Sequence, residues 1–230
     1  MTHMHIPDGI LPVWLWLSGL VLMALALGLS LFLLRNMDVK KKIPLLGAVA
    51  AAMLVAMSLE ILPLAYHINL SVVAGILLGP ALGFVAAFIA NLILALMGHG
   101  GITVIGLNTI LLGSEAVLGH TLFYLAGRRL PMFWRGAIVT VLTLLTTTLL
   151  LISIVAVSHV DALAMLEEGP APVQAPSDSI TSFAVVVLSL GAIGWVLEAA
   201  ITGSIVQFIA QVKPDLMEHR LHEGARSPEQ

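Results

Sequence analysis

The chain has 230 residues, of which 59% are hydrophobic and 10% charged, and its mean hydropathy is +1.05. A soluble domain carries about 25% charged residues, so ten Lys and Arg with thirteen Asp and Glu are too few to cover a water-exposed surface. That composition excludes a soluble enzyme, a nucleic-acid binder and a secreted disulfide scaffold. The absence of cysteine excludes disulfides, thiolate metal sites and a cysteine nucleophile, leaving eight histidines for metal or proton chemistry.

In chain order, the first residues contain no Lys or Arg, carry Pro7, Asp8 and Gly9, and do not resemble a signal peptide. Gly9–Leu34 and Ile61–Ser114 are both free of charge, and about 20 apolar residues suffice to cross the hydrocarbon core as a helix. Apolar stretches bounded by charges or turn residues predict helices over 11–34, 44–66, 69–97, 104–126, 133–158 and 181–212. Gly79-Pro80 interrupts the third, because proline lacks a backbone donor and disfavours helix in the residue before it. Two arms, 69–79 and 81–97, are therefore expected, the first too short to cross alone and shielded in a re-entrant or tilted hairpin. The fold class is an all-α polytopic membrane protein of about seven helical segments. A single integral-membrane domain over 1–212 and a polar tail over 213–230 are expected.

The basic residues set the expected topology. Arg35 and Lys40–Lys42 follow the first span, Arg128, Arg129 and Arg135 precede or open the 133–158 span, and Lys213, Arg220 and Arg226 follow the last. If the hairpin returns to the side it left, all ten fall on one side, which the positive-inside rule makes cytoplasmic. The N-terminus is then outside, the C-terminus cytoplasmic, and the acidic loop 159–180 outside. Trp14, Trp16 and Trp134 fit interfacial belts. Gly75, Gly79 and Gly83 are spaced for close helix packing, as are Ala24 and Gly28, whose expected use is packing within the monomer.

On this topology His3, His5, His67 and His99 lie at the outer face. An α-amine, the next amide nitrogen and the imidazole of the second residue form fused chelate rings around a metal, and one more imidazole completes four nitrogens. A tetragonal all-nitrogen set favours Ni(II) or Cu(II), with Co(II) also accommodated. Each donor must lose a proton, so affinity should fall as pH drops through the amine and imidazole pKa values, about 7.7–8.0 and 6.5.

Met4-His5-Ile6-Pro7-Asp8-Gly9-Ile10-Leu11 resembles the N-terminal signature of the CbiM/NikM family, the substrate-binding (S) components of energy-coupling-factor transporters for cobalt and nickel. His67, the Gly75–Pro80 turn, Gly100-Gly101-Ile102-Thr103 and Gly106-Leu107-Asn108 extend the match in order. The resemblance implies Met4, His5 and His67 as ligands of Ni2+ or Co2+, carried as transported substrate rather than as a catalytic cofactor. It also implies three kinds of partner: a membrane coupling (T) subunit, cytoplasmic ABC-type ATPases and a small accessory membrane subunit. No nucleic acid is expected. Asp8 and Asn108 are expected to pin the N-terminal segment, and His99 to stand beside the site or serve as an entry ligand.

Three departures from the family pattern are visible. Met1-Thr2-His3 precedes the motif, so either Met4 is the start or, after removal of Met1, Thr2-His3 offers the same chelate with His3 in place of His5. The approach to His67 reads Leu62-Pro63-Leu64-Ala65-Tyr66 rather than glycine-rich, and Asn91 replaces a common glutamine. No Gly-x-x-x-x-Gly-Lys loop occurs, so uphill transport would draw its energy from another polypeptide.

A second reading comes from ionisable groups within apolar segments, Glu60, Glu115, His120 and Glu198. An intramembrane hydrolase would use Glu115, His120 and Ser114, and would need them to converge. A non-catalytic membrane scaffold is the third.

Overall fold

The computed structural model describes residues 6, 8–9, 11–37, 39–59, 67–127, 130–158 and 179–214. Among these the architecture is all-helical: α1 (Val13–Leu34), a 3-10 turn at Lys40–Lys42, α2 (Ile43–Ser58), α3 (Ser71–Leu78), α4 (Pro80–Leu96), α5 (Ile105–Leu125), α6 (Met132–Ser158) and α7 (Ser179–Val212). Four helical stretches, Val13–Leu34, Lys40–Ser58, Met132–Ser158 and Ile180–Val212, are long and apolar enough to cross a membrane, and Pro80–Leu96 is a shorter apolar helix. The chain is a multi-pass membrane protein.

The break at Gly79-Pro80 falls where the sequence predicts it. Gly79 ends α3 at φ +87°, a conformation that L side chains rarely adopt, and Pro80 opens α4. All eight residues of α3 are buried. At 1.5 Å per residue α3 is about 12 Å long, so it is a core insert and not a span. Its packing depends on missing side chains: a Cβ on Gly75 would lie 1.9 Å from Ala116 O on α5, and one on Gly83 3.1 Å from Gly75 Cα.

The second helix is shorter than the predicted 44–66. It stops at Ser58, and Leu59 is already extended (φ −97°, ψ 115°). Pro63 favours extended backbone upstream of itself, although residues 60–66, Glu60 included, lie outside the described set. His67 consequently stands on non-helical backbone leading into α3, not at a helix end.

The helix directions sort charge by end, and α1 and α5 both begin at the Ile6 end. α1 and α5 meet where Gly106 sits against Gly19, a Cβ on the former lying 2.4 Å from the latter's carbonyl carbon. Ile6, Leu11, Leu15, Val104, Leu107, Leu151 and Phe183 form the core at this end. Leu34, Val49, Phe123 and Val206 belong to a second cluster that extends to the opposite end. Arg35 and Lys40–Lys42 follow the far end of α1, and Lys213 follows that of α7, where Gly203 meets Phe133 at the start of α6. The described basic residues thus lie away from Ile6. Ala24 and Gly28 are both exposed, and a Cβ on Gly28 would meet nothing within 4 Å. Their expected packing within the monomer is not what the structure shows, because the α1–α5 crossing uses Gly19 instead.

Candidate metal centre

The close approach of α1 and α5 puts Asn108, in the first turn of α5, opposite Ile6, ahead of α1. Asn108 reads the Ile6 backbone in both directions: Ile6 N–H donates to Asn108 Oδ1 at 3.0 Å, and Asn108 Nδ2 donates to Ile6 O at 3.2 Å. Gly101 N–H donates to the same carbonyl at 3.3 Å. The Ile6 side chain is 1% exposed within the apolar cluster, and such burial stabilises docking by about 1.5–3 kcal/mol relative to leaving the side chain in water.

Asp8 supplies the second anchor. Its Oδ2 accepts Ile102 N–H at 2.9 Å, and its Oδ1 accepts Thr103 N–H at 2.8 Å and the Thr103 hydroxyl. The Thr103 hydroxyl bond, aided by backbone N–H groups of Thr103, Ile102 and Val104 and opposed by slight desolvation, holds the Asp8 carboxyl below its ordinary value. Gly101 makes room for it, since a Cβ there would lie 2.3 Å from Asp8 Oδ1.

The loop that receives Asp8 also carries His99, and the His99 and His67 rings meet edge to face with centroids 6.3 Å apart. Ile6, Asp8, Asn108, His99 and His67 therefore converge on one end of the bundle through the 98–104 loop. Met4, His5 and the alternative His3 lie outside the described residues, immediately before Ile6. Among the described residues no three His, Asp or Glu side chains group into a metal-holding set. A four-nitrogen site at this end would accordingly depend on the Met4-His5 segment together with His67.

Asn91 is 1% exposed and ties α4 to the start of α5, its Nδ2 donating to Thr109 Oγ1 at 2.8 Å and to Ile105 O at 3.2 Å. It supports the helix that presents Asn108. The sequence gives Thr103 no role beyond its place in the Gly-Gly-Ile-Thr motif, and the signal for Asn69 is an Asn inside an uncharged apolar run, two residues after a histidine.

The residues of the hydrolase reading face different partners. Ser114 Oγ donates to Leu111 O at 2.7 Å on its own helix. Glu115 accepts from Asn69 Nδ2 and, at 3.0 Å, from Thr147 Oγ1. His120 Nδ1 lies 3.1 Å from Gly75 O. The hydroxyl is turned to its own backbone rather than towards a base, which is not the nucleophile–base geometry that hydrolysis needs.

Helices that cross a membrane, a short buried insert and a docked N-terminal segment define a multi-pass membrane protein with a candidate capture site at one end. The family described as "cobalt uptake substrate-specific transmembrane region" matches residues 5–216. A protein named as a fused nickel transport protein, NikMN, from Archaeoglobus fulgidus is 31% identical over 96% of this chain and 70% of its own length. A protein named as a metal transport protein from Haemophilus influenzae is 32% identical over 52% of this chain and 57% of its own length, so just over half of that relative is spanned. Two crystal structures share the fold. A transition metal transporter superposes with TM-score 0.72 at 19% identity, covering 97% of this chain and 100% of that one, and a truncated transition metal transporter gives 0.64 at 18% identity, covering 94% and 99%. The chain belongs to the cobalt-uptake substrate-specific transmembrane family.

Proposed function

We propose that this chain is the substrate-binding membrane subunit of an ATP-driven importer of Ni(II) or Co(II), and that it captures the metal at the outer face. The ligands are the amine and amide of Met4-His5, the His5 ring and His67, with His3 replacing His5 if Thr2 is the mature start. The bundle is oriented with the N-terminus outside and the basic end cytoplasmic, in keeping with the positive-inside rule. A membrane coupling subunit, paired cytoplasmic ATPases and a small accessory membrane subunit complete the importer. The observation that carries this reading is the docking of Ile6 and Asp8 onto Asn108 and Thr103, which puts Ile6, the residue after His5, at the end of the bundle where His67 and His99 meet.

The test is metal content. Protein purified with its native N-terminus is expected to hold about one Ni or Co per chain, measured by elemental mass spectrometry, as one chelate site requires. A tag fused ahead of Met1, and separately His67→Ala, should each abolish that retention. Stoichiometric metal surviving both changes would sink the ligand set.

A further inference from the structure

Two carboxylates that the capture site does not use are buried in the middle of the bundle. Glu115 on α5 is 2% exposed and Glu198 on α7 is 1% exposed. Glu115 lies ten residues into α5, about 15 Å along its axis from the loop end. Both acids converge on one residue, Asn69, itself 1% exposed. Glu198 Oε1 accepts Asn69 N–H at 2.9 Å, and Glu115 Oε2 accepts Asn69 Nδ2–H. Thr147 on α6 steadies Glu115 from behind through its hydroxyl, 3.0 Å from Oε1. Asn69 Oδ1 in turn accepts Ser71 N–H at 2.7 Å, satisfying one of the unpaired donors at the start of α3.

Asn69 is therefore a junction where α3, α5, α6 and α7 are joined through hydrogen bonds to two buried carboxyl groups. It stands two residues after His67, and two residues of chain span at most about 7 Å. A shift of Asn69 has little slack to absorb it before His67 moves. The placement of α7 gives this link consequence: α7 packs mainly on α6 and meets the remainder of the bundle chiefly at α3. The Glu198–Asn69 bond fastens α7 to the segment that carries His67.

We propose that Glu198 and Glu115 are positioning residues for the metal site: by holding Asn69 they hold His67 at the angle and depth that metal capture needs, so seating of α7 against α3 sets metal affinity. This rests on His67 being a ligand. A displacement of α7 relative to α3 would strain the Glu198–Asn69 bond and, through Asn69, loosen His67. The machinery would then have a route for lowering affinity from the far side of the bundle.

The test separates reach from chemical group at residue 198. Glu198→Gln keeps an oxygen acceptor at the same distance. Glu198→Asp keeps the carboxyl group but withdraws it by one methylene, out of hydrogen-bonding range of Asn69 N–H. Nickel affinity is measured by equilibrium titration on full-length protein with its native N-terminus, alongside the d–d absorption spectrum of bound Ni(II) and the thermal transition as a folding control. Loss of a group that orients a ligand costs about 10–100-fold in metal affinity. Glu198→Asp is expected to fall by that amount with an altered spectrum, and Glu198→Gln to stay near the native affinity with the native spectrum. Equal affinities for the two variants, or tighter binding by Glu198→Asp, overturn the proposal. His67→Ala is run in parallel. Native affinity in that variant overturns the ligand assignment itself, whereas its loss beside undiminished binding by Glu198→Asp overturns the positioning role alone.

Discussion

Asp8 accepts three hydrogen bonds from Ile102 and Thr103 and fastens the N-terminal segment to the loop that carries His99. Asp8→Ala removes that anchor, and metal affinity at pH 7 is expected to drop by about 10–100-fold, the usual cost of losing an orienting partner. The pH dependence has a definite sign. The folded carboxyl titrates below its ordinary value of 3.8, so its contribution is complete above that value and is lost as pH falls through the lower, folded one. Between pH 6 and 8 Asp8 stays ionised, and the proposed imidazole and amine donors are expected to release the metal there through their own protonation. Affinities of the native protein and Asp8→Ala, titrated across that range, should run parallel. Curves that converge by pH 6 would show that Asp8 acts through its own protonation. The anchoring role expected of Asp8 was legible because a ligating segment needs orienting partners and Asp8 is the acid nearest to it in sequence. Its partner Thr103 was not, since nothing in a Gly-Gly-Ile-Thr run says which residue 95 positions away will bond to it.

At the scale of elements, most boundaries were legible and their causes were local. Pro80 has no N–H to donate and Gly79 takes φ +87°, so α3 ends at Leu78 and α4 begins at Pro80 as the sequence implies. The end of α2 was not legible, because an apolar run continues past Ser58 and hydropathy does not distinguish helix from extended chain. The polar junction at Asn69 was hidden for another reason: it joins residues 46 and 129 positions apart, and only tertiary packing brings them together. Small residues also divide by use. Gly75→Ala would drive a methyl into Ala116 O, whereas Gly28 faces open space. Gly75→Ala is expected to destabilise the detergent-solubilised protein by about 1–3 kcal/mol, as overpacking does. Gly28→Ala should be neutral or stabilising by up to about 1 kcal/mol from helix propensity. Thermal unfolding of the two variants side by side checks this, and equal transitions would contradict the close packing of α3 on α5.

At the scale of the molecule, low charge content first indicated only a chain suited to lipid. The fold adds that the described basic residues and the docked N-terminal segment occupy different ends, as expected for capture on one side and engagement of a cytoplasmic motor on the other. Lack of cysteine gains meaning in the same frame, since it removes thiolate from the donors a metal site here could use. The most direct measurement is the X-ray absorption spectrum of nickel bound to protein with its native N-terminus. The account predicts a tetragonal shell of about four nitrogen donors with imidazole scattering, and a reduced imidazole signal in any nickel that His67→Ala retains. A six-oxygen shell, or a spectrum unchanged by His67→Ala, would contradict it.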